Sequence, residues 1–261
     1  MYNKLVLLEV NNINVYKYQL HLPFLTTFIL QRVTNIMILN FSDYSENQRY
    51  HLMTQTIIPR PIAWALTFSG DNIVVNEATQ NVEQSQLNLA PFSYFTAVSS
   101  TPALLMISVG KKPTGEAKDT LANIIKNKKM VIHIASAQQA GLVTETAATL
   151  PHGQSELELT DESSDSDLHL KTVPFDGFVL PRLEQCDIAY GCELYEIKEI
   201  KDSPLTLILV EVKQVYISDS VMDLDAKNRI KVHADKVNPL ARLGGGEYAG
   251  ITAPFAKVRP T

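Results

Sequence analysis

The sequence predicts a mainly β protein, a barrel of many strands with a few attached helices. Three observations carry this. Apolar residues recur at every second position in short runs, the spacing of a strand with one buried face. Turn-forming residues separate those runs. Only one segment carries a clear helical stripe, and neither an internal repeat nor a domain linker interrupts the 261 residues.

Residues 1–40 carry little charge and end in the apolar run Leu20 to Leu30. Pro23 breaks that run, and Gln31 and Arg32 close it before it reaches the ~18–20 apolar residues of a membrane span. A secretory signal would need an early basic region and a small-residue cleavage site, and neither stands out. The segment reads either as an N-terminal extension or as an ordered extra element, and Met37 opens a stretch of more ordinary character.

Pro59-Arg-Pro61 imposes extended backbone, because a residue before proline avoids the helical region. From Ile62 to Phe68, bulky Ile62, Trp64, Leu66 and Phe68 alternate with small Ala63, Ala65 and Thr67. This predicts a strand with a bulky core side and a shallow side, open either to close packing or to something flat. Gly70-Asp-Asn72 is a turn, and the polar stretch Glu77 to Gln86 is a long loop or a short helix. Ala90–Ser99 and Ala103–Val109 are the next strands. Lys118 to Lys129 is the best helix. Asp119 can cap it, Leu121, Ile124 and Ile125 form its stripe, and lysines complement its C-terminal end. Strands follow at Met130–Ala135, Asp187–Tyr195 and Leu205–Ile217. Between them, Glu156, Glu158, Asp161, Glu162, Asp165 and Asp167 read as a solvated loop rather than a metal site, since no turn glycine stands among them as in a calcium loop.

Lys and Arg number 23 against 28 Asp and Glu, a net charge of −5. This argues against a nucleic-acid binder, whose domain would carry a basic stripe, but leaves room for a basic pocket that takes a phosphorylated small molecule. Two cysteines, Cys186 and Cys192, are too few for a disulfide framework or a cysteine-rich metal site. They read as buried thiols in a reducing, cytoplasmic compartment. Gly244-Gly-Gly246-Glu-Tyr-Ala249 has the letters of a dinucleotide fingerprint, without the strand before it or the chain after it that a βαβ unit needs. Gly110 and Gly115 have P-loop spacing, yet Glu116-Ala117 stands where Lys and Ser or Thr belong. His21, His51, His133, His152, His169 and His233 show no ligand-like pairing, and no Gly-x-Ser-x-Gly elbow occurs. Neither a metal site nor a catalytic side chain is expected.

One constellation remains. Ser108-Val-Gly-Lys-Lys112 ends a buried strand, and Lys118-Asp-Thr120 opens the helix. A helix start offers N–H groups and the positive end of its dipole to a phosphate. Lys111, Lys112 and Lys118 add charge, and Ser108 and Thr120 add directional donors. The same residues also describe a capped helix with solvated lysines. Asp119 suits that reading better, because a carboxylate repels phosphate.

Arg60-Pro-Ile-Ala-Trp64, Asn88-Leu-Ala-Pro-Phe-Ser-Tyr-Phe95, Ser108-Val-Gly110, Lys118-Asp-Thr120 and Ala241-Arg-Leu-Gly-Gly245 occur in this order. Together they resemble the flavin reductase-like family, from about Pro59 to Pro260. The resemblance implies that residues 41–261 form an FMN-binding split β-barrel of Greek-key type, with 1–40 as an extension outside it. It implies that Thr67, Asn88, Leu89, Ala90, Pro91 and Ser93 border the isoalloxazine and ribityl chain, with Trp64 either beside the ring or in the core. The phosphate would sit among Ser108, Val109, Gly110, Lys111 or Lys112, Lys118, Asp119 and Thr120. A homodimer is implied too, with the flavin near the interface and Arg242 to Tyr248 closing the site from either chain. Three departures bear on substrate choice. The stretch Asn76 to Leu87 is longer than the family's turn and could act as a lid or hinder a second substrate. Thr96 replaces an asparagine. Lys111-Lys112 replaces a more arginine-rich pair, giving point charges in place of bidentate forks.

By the same resemblance the expected activity is that of an FMN-dependent oxidoreductase. Hydride would pass from NADH or NADPH to the flavin, and electrons onward to free flavin, a metal complex or a protein. The cofactor carries that chemistry, so a missing catalytic triad is no objection. No nucleic acid or membrane partner is expected. Two other readings stay open: a flavin-bearing electron carrier reduced by a partner protein, and a non-redox barrel that binds another phosphorylated ligand or a protein.

Overall fold

The strand at Ala63–Phe68 is buried along its whole length. Its alternation serves two cores: Trp64, Leu66 and Phe68 join one apolar cluster, and Ala63 and Ala65 join another on the opposite face. The shallow side read from the sequence is a packing surface.

The computed structural model describes the backbone of residues 5–10 and 13–18, and residues 38–73, 82–151, 153–158, 170–258 and 260 with their side chains. The chain divides into two compact units, residues 1–50 and 51–261. In the first, β1 (Leu5–Val10) pairs antiparallel with β2 (Ile13–Tyr18), Leu5 opposite Tyr18. The apolar run Leu20 to Leu30 lies outside the described residues.

Helix α1 (Glu46–Thr56) is followed by β3 (Arg60–Pro61), β4 (Ala63–Phe68), β5 (Leu87–Phe92), β6 (Phe95–Ser100), β7 (Ala103–Val109), α2 (Asp119–Asn127) and β8 (Lys129–Ile134). Then come α3 (Ala140–Glu145), the hairpin β9 (Thr172–Phe175) and β10 (Phe178–Leu183), and the long β11 (Ile188–Glu199) and β12 (Thr206–Ile217). The chain closes with β13 (Met222–Leu224), β14 (Ile230–Val232), α4 (Ala234–Val237), β15 (Ala241–Arg242) and β16 (Tyr248–Ala249).

Seven strands form one antiparallel sheet in the order β5-β4-β8-β11-β12-β7-β6. β5 and β6 stand at opposite ends of that order, yet only Ser93 and Tyr94 separate them along the chain. The sheet must therefore curl until these two strands approach at the Ser93-Tyr94 corner, without pairing. At the seam the Ser108 N–H of β7 donates to the Tyr94 carbonyl at 2.9 Å. The enclosed face carries Phe92, Leu105, Ile107, Val109, Met130, Ile132, Ile208 and Val210. On the other face Leu142 and Val143 of α3 and Leu180 and Leu183 of β10 cover Trp64, Leu66 and Phe68.

Several expectations need correction. The run Ala90 to Ser99 is two strands, broken at Ser93-Tyr94 by the passage from one sheet edge to the other. Asp119 is the first residue of α2 and not its cap, and Ile125 of the expected stripe is 46% exposed. That helix instead buries Thr120, Asn123 and Ile124, so its inner face is partly polar. Within Glu77 to Gln86, Gln84–Gln86 is a single 3₁₀ turn, and residues 74–81 lie outside the described ones. The hairpin β9–β10 was unread, although Asp176-Gly177 is a strong turn pair and Gly177 takes a φ of 75°. Among the described residues no helix is long and apolar enough to cross a membrane.

Candidate functional site

One cleft gathers residues from five stretches of the chain. β5 gives Asn88, Ala90 and Pro91, and the start of α2 gives Lys118, Asp119 and Thr120. Lys112 comes from the loop before α2, Thr146 to Leu150 from the chain after α3, and Glu156 from the turn Glu156–Glu158. β5 can line a cleft because it ends the sheet, so one edge of it has no strand partner. The wall after α3 is held from behind. The Trp64 indole N–H donates to Thr146 Oγ1 at 2.9 Å, and that hydroxyl donates to the Leu142 carbonyl at 3.1 Å.

A buried polar network lies beneath the cleft. The Glu156 carboxylate is 5% exposed and accepts from Asn88 Nδ2 at 2.9 and 2.8 Å and from the Leu89 N–H at 2.8 Å. Asn88 Oδ1 in turn accepts from Thr67 Oγ1 at 3.2 Å and Thr120 Oγ1 at 3.1 Å. Asn123 Nδ2 donates to Thr67 Oγ1 at 3.1 Å. A carboxylate only accepts, so it fixes the Asn88 amide, which then fixes both hydroxyls. Burial pushes the Glu156 carboxyl above its usual range, against the hydrogen bonds from Leu89 and Asn88, and the nearby Asp119 charge pushes the same way as burial.

The cationic end is built by a tight loop. Lys111 bridges Ala117, the Lys112 N–H donates to the Glu116 carbonyl at 2.8 Å, and the Gly115 N–H donates to the Lys112 carbonyl at 2.8 Å. Gly115 has a φ of 88°, a conformation that favours glycine. The fold-back carries Lys112 to Asp119, with Nζ 2.9 and 2.8 Å from the two carboxylate oxygens. Lys118 Nζ stands 5.7 Å from the centre of the Phe92 ring, within cation–π reach. Cations and the dipole of α2 therefore meet at one end of the cleft, and the rest mixes the apolar Ala90, Pro91, Ala147, Ala148 and Leu150 with the polar Asn88, Thr146, Thr149 and Glu156.

The sequence pattern of the flavin reductase-like domain matches residues 58–231, which carry the barrel and this cleft. The chain belongs to that family. YwrF of Bacillus subtilis is 30% identical over 221 residues, 83% of this chain and 96% of YwrF. Nitrilotriacetate monooxygenase component B from Bacillus cereus superposes with a TM-score of 0.69 at 29% identity, covering 85% of this chain and 98% of that one. The 2-nitrobenzoate 2-nitroreductase NbaA of Pseudomonas fluorescens gives 0.67 at 25% identity, over 86% and 97%. A split-barrel-domain protein from Shewanella frigidimarina gives 0.64 at 15% identity, over 85% and 96%, a likeness of fold. The curled sheet is thus the split barrel of a flavin reductase-like protein.

Within this flavin reductase-like domain, Asn88, Ala90, Pro91, Lys112, Lys118, Asp119 and Thr120 come together around the cleft. Other residues expected there do not line it. Trp64, Thr67, Leu89 and Val109 are fully buried, and Trp64 belongs to the core, where it braces the cleft wall. Ser93 Oγ accepts from Arg60 Nε at 3.4 Å. The Ser108 hydroxyl is buried and unpaired, Gly110 is half-buried and Lys111 is exposed. Thr120 gives its hydroxyl proton to Asn88, so it is not the outward donor expected.

Glu156 also departs from the solvated loop expected of the acidic run. Leu157 is 3% exposed and anchors its turn in the core, which swings Glu156 inward. Glu158 is exposed, and Asp161, Glu162, Asp165 and Asp167 lie outside the described residues. The sequence held one signal for Asn123, which stands three residues after Thr120 on the same helix face. Arg242 stacks on Tyr248 at 4.4 Å, and neither lines the cleft.

Proposed function

We propose that the protein binds FMN in this cleft and works in the cytoplasm as a homodimeric, NAD(P)H-dependent flavin reductase. The observation that carries this reading is the polarity of the cleft: Lys112, Lys118 and the start of α2 at one end, and the shallow Ala90, Pro91, Ala147 and Ala148 beyond them. That donor set suits a phosphate joined to a flat ring system. Bound FMN would supply hydride acceptance from a nicotinamide and onward delivery of electrons. Lys118 and Lys112 hold the phosphate. Ala90 and Pro91 on β5 orient the ring, and the wall Thr146 to Leu150 keeps water away. No side chain has to act as a proton-transfer base, so the residues work through position. Likeness, at 29% identity, to component B of a monooxygenase supports a role beside a partner protein.

The test is binding followed by reduction. Lys118→Ala removes a charge-assisted hydrogen bond, worth about 1.5–3 kcal/mol, so FMN should bind roughly tenfold or more weakly while riboflavin is little affected. Anaerobic mixing of the loaded wild-type protein with NADH or NADPH should bleach the flavin. A yellow protein that responds to neither nicotinamide would instead be an electron carrier, and one that takes up no flavin would overturn the reading.

A further inference from the structure

The network under the cleft has a direction, and Glu156 sets it. Hydroxyl protons of Thr67 and Thr120 point to Asn88 Oδ1, and the Asn88 amide nitrogen points to Glu156. With the carboxylate ionised this order is forced, since a carboxylate can only accept. Thr120 lines the cleft at the cationic end, yet its proton is given to Asn88 Oδ1 and not to a ligand. An anion placed there meets a hydroxyl that offers it lone pairs.

We propose that Glu156 couples binding of the flavin phosphate to uptake of one proton, by reversing the Glu156–Asn88–Thr120 hydrogen-bond chain so that the Thr120 hydroxyl turns into the cleft. This rests on the FMN reading above. One proton from solvent adds to the Glu156 carboxylate, and no other bond forms or breaks. The neutral acid donates its O–H to Asn88 Oδ1 after the amide turns over, and its second oxygen keeps the Leu89 N–H. Asn88 Nδ2 then donates to Thr67 and Thr120, both now acceptors. Thr67 passes its proton to a reversed Asn123 amide, and the Thr120 proton is released toward the phosphate. The six hydrogen bonds of the resting chain become five inside, and the bond to the ligand restores the sixth.

The charged surroundings favour the same direction. Asp119 at the start of α2 faces Glu156, and its charge is held by Lys112. Lys118 stands in the same cleft, and the other residues lining it, from β5 and from the chain after α3, are uncharged. The turn Gln84–Gln86 packed against Glu156–Glu158 is uncharged as well. A phosphate adds negative charge beside two carboxylates, so neutralising the buried one lowers the repulsion.

Calorimetry of FMN binding in two buffers of different ionisation enthalpy reads the proton count directly. Wild-type protein should take up as much as about one proton per FMN, on top of any change in the phosphate's own ionisation. Riboflavin should show no such uptake. Glu156→Gln removes the titrating group while keeping its size, and the wild-type excess should vanish. Thr120→Val keeps the carboxylate and removes the hydroxyl, so it also guards against a Glu156 variant that fails to fold. Its uptake should vanish and FMN should bind severalfold more weakly. FMN that binds with no excess uptake, or with uptake unchanged in either variant, overturns this inference and leaves the FMN reading standing. FMN that does not bind at all overturns both.

Discussion

His133 is fully buried in β8, and both its ring nitrogens are engaged: Nδ1 lies 3.0 Å from the Trp64 carbonyl, and Nε2 accepts from the Leu183 N–H at 2.9 Å. Those partners require Nδ1 to carry the proton of a neutral ring. Burial pulls its pKa down to about 4, only partly opposed by the Trp64 carbonyl, and the nearby Arg182 charge pulls the same way. A histidine so placed ties β8, β4 and β10 together and has no access to the cleft. His233, paired with Asp223 at 2.9 Å, is likewise away from the cleft lining. The sign of the pH effect follows. Above the ordinary value near 6.5 the ring is neutral folded or unfolded, and it contributes nothing. Below that value the unfolded chain takes up a proton that the folded one refuses until about pH 4. Stability should therefore fall between these limits, by about 3 kcal/mol in all. Urea unfolding at several pH values should show this fall, and His133→Gln should lose that share of it. A variant with the wild-type pH profile would mean the ring is charged when folded. Cys186 and Cys192 are the buried thiols the sequence suggested, pushed up to about 12 by burial, whereas the burial of this ring was not legible because it is a tertiary property.

At the scale of elements, Arg60 joins the motif near Pro59 to the one near Ala241. It is 6% exposed, and it donates through Nη1 to the Thr54 carbonyl at 2.6 Å and the Ile57 carbonyl at 3.0 Å. Nη2 donates to the Leu243 carbonyl at 2.8 Å, and Nε to Ser93 Oγ at 3.4 Å. One guanidinium thus closes the end of α1, fixes the strand pair β3–β15 and holds the seam between β5 and β6. Only a planar fork with five donors can do this, and an ammonium cannot. Arg60→Ala leaves the buried Thr54 carbonyl and the partly buried Ile57 and Leu243 carbonyls short of a donor and should cost about 3 kcal/mol of stability. Arg60→Lys should recover a minor part of it in a thermal or urea unfolding series. A loss below about 1 kcal/mol for the alanine variant would show that water replaces the fork. Strand periods were legible at this scale because alternation is local. β4, β7 and β8 fell close to their expected limits. The break at Ser93-Tyr94 was hidden, because both sides of it are good strand sequence and only sheet closure demands the turn. The polar inner face of α2 was hidden for a related reason: Thr120 and Asn123 find their buried partners, Asn88 and Thr67, on other elements.

For the whole molecule, the mainly β barrel and its family were legible, since each motif sits where the curled sheet needs it. The cleft was legible at its β5 wall and its cationic end. Its other wall, Thr146 to Leu150 with Glu156, carried no local signal, because it depends on the long-range bonds from Trp64 and Asn88. Assembly is the remaining property at this scale. β6 ends the sheet, and its residues from Thr96 to Ser100 are exposed, Val98 among them at 46%. An edge strand with little charge invites pairing, and a monomer normally blunts it with charge, proline or a covering segment. After β16 the described tail is exposed and has no regular secondary structure, with Phe255 at 87% and Val258 at 97%. Two such surfaces on one chain can be covered together by a two-fold partner, which presents the same patch to each copy. The protein is therefore expected to be a homodimer, and light scattering at micromolar concentration should give twice the chain mass of 29.1 kDa. Replacing Val98 by lysine adds the charge that a solitary edge would carry, and should shift the mass toward the monomer while leaving the folded barrel intact by circular dichroism. A wild-type monomer that binds FMN with full affinity would show that the barrel completes its cleft alone.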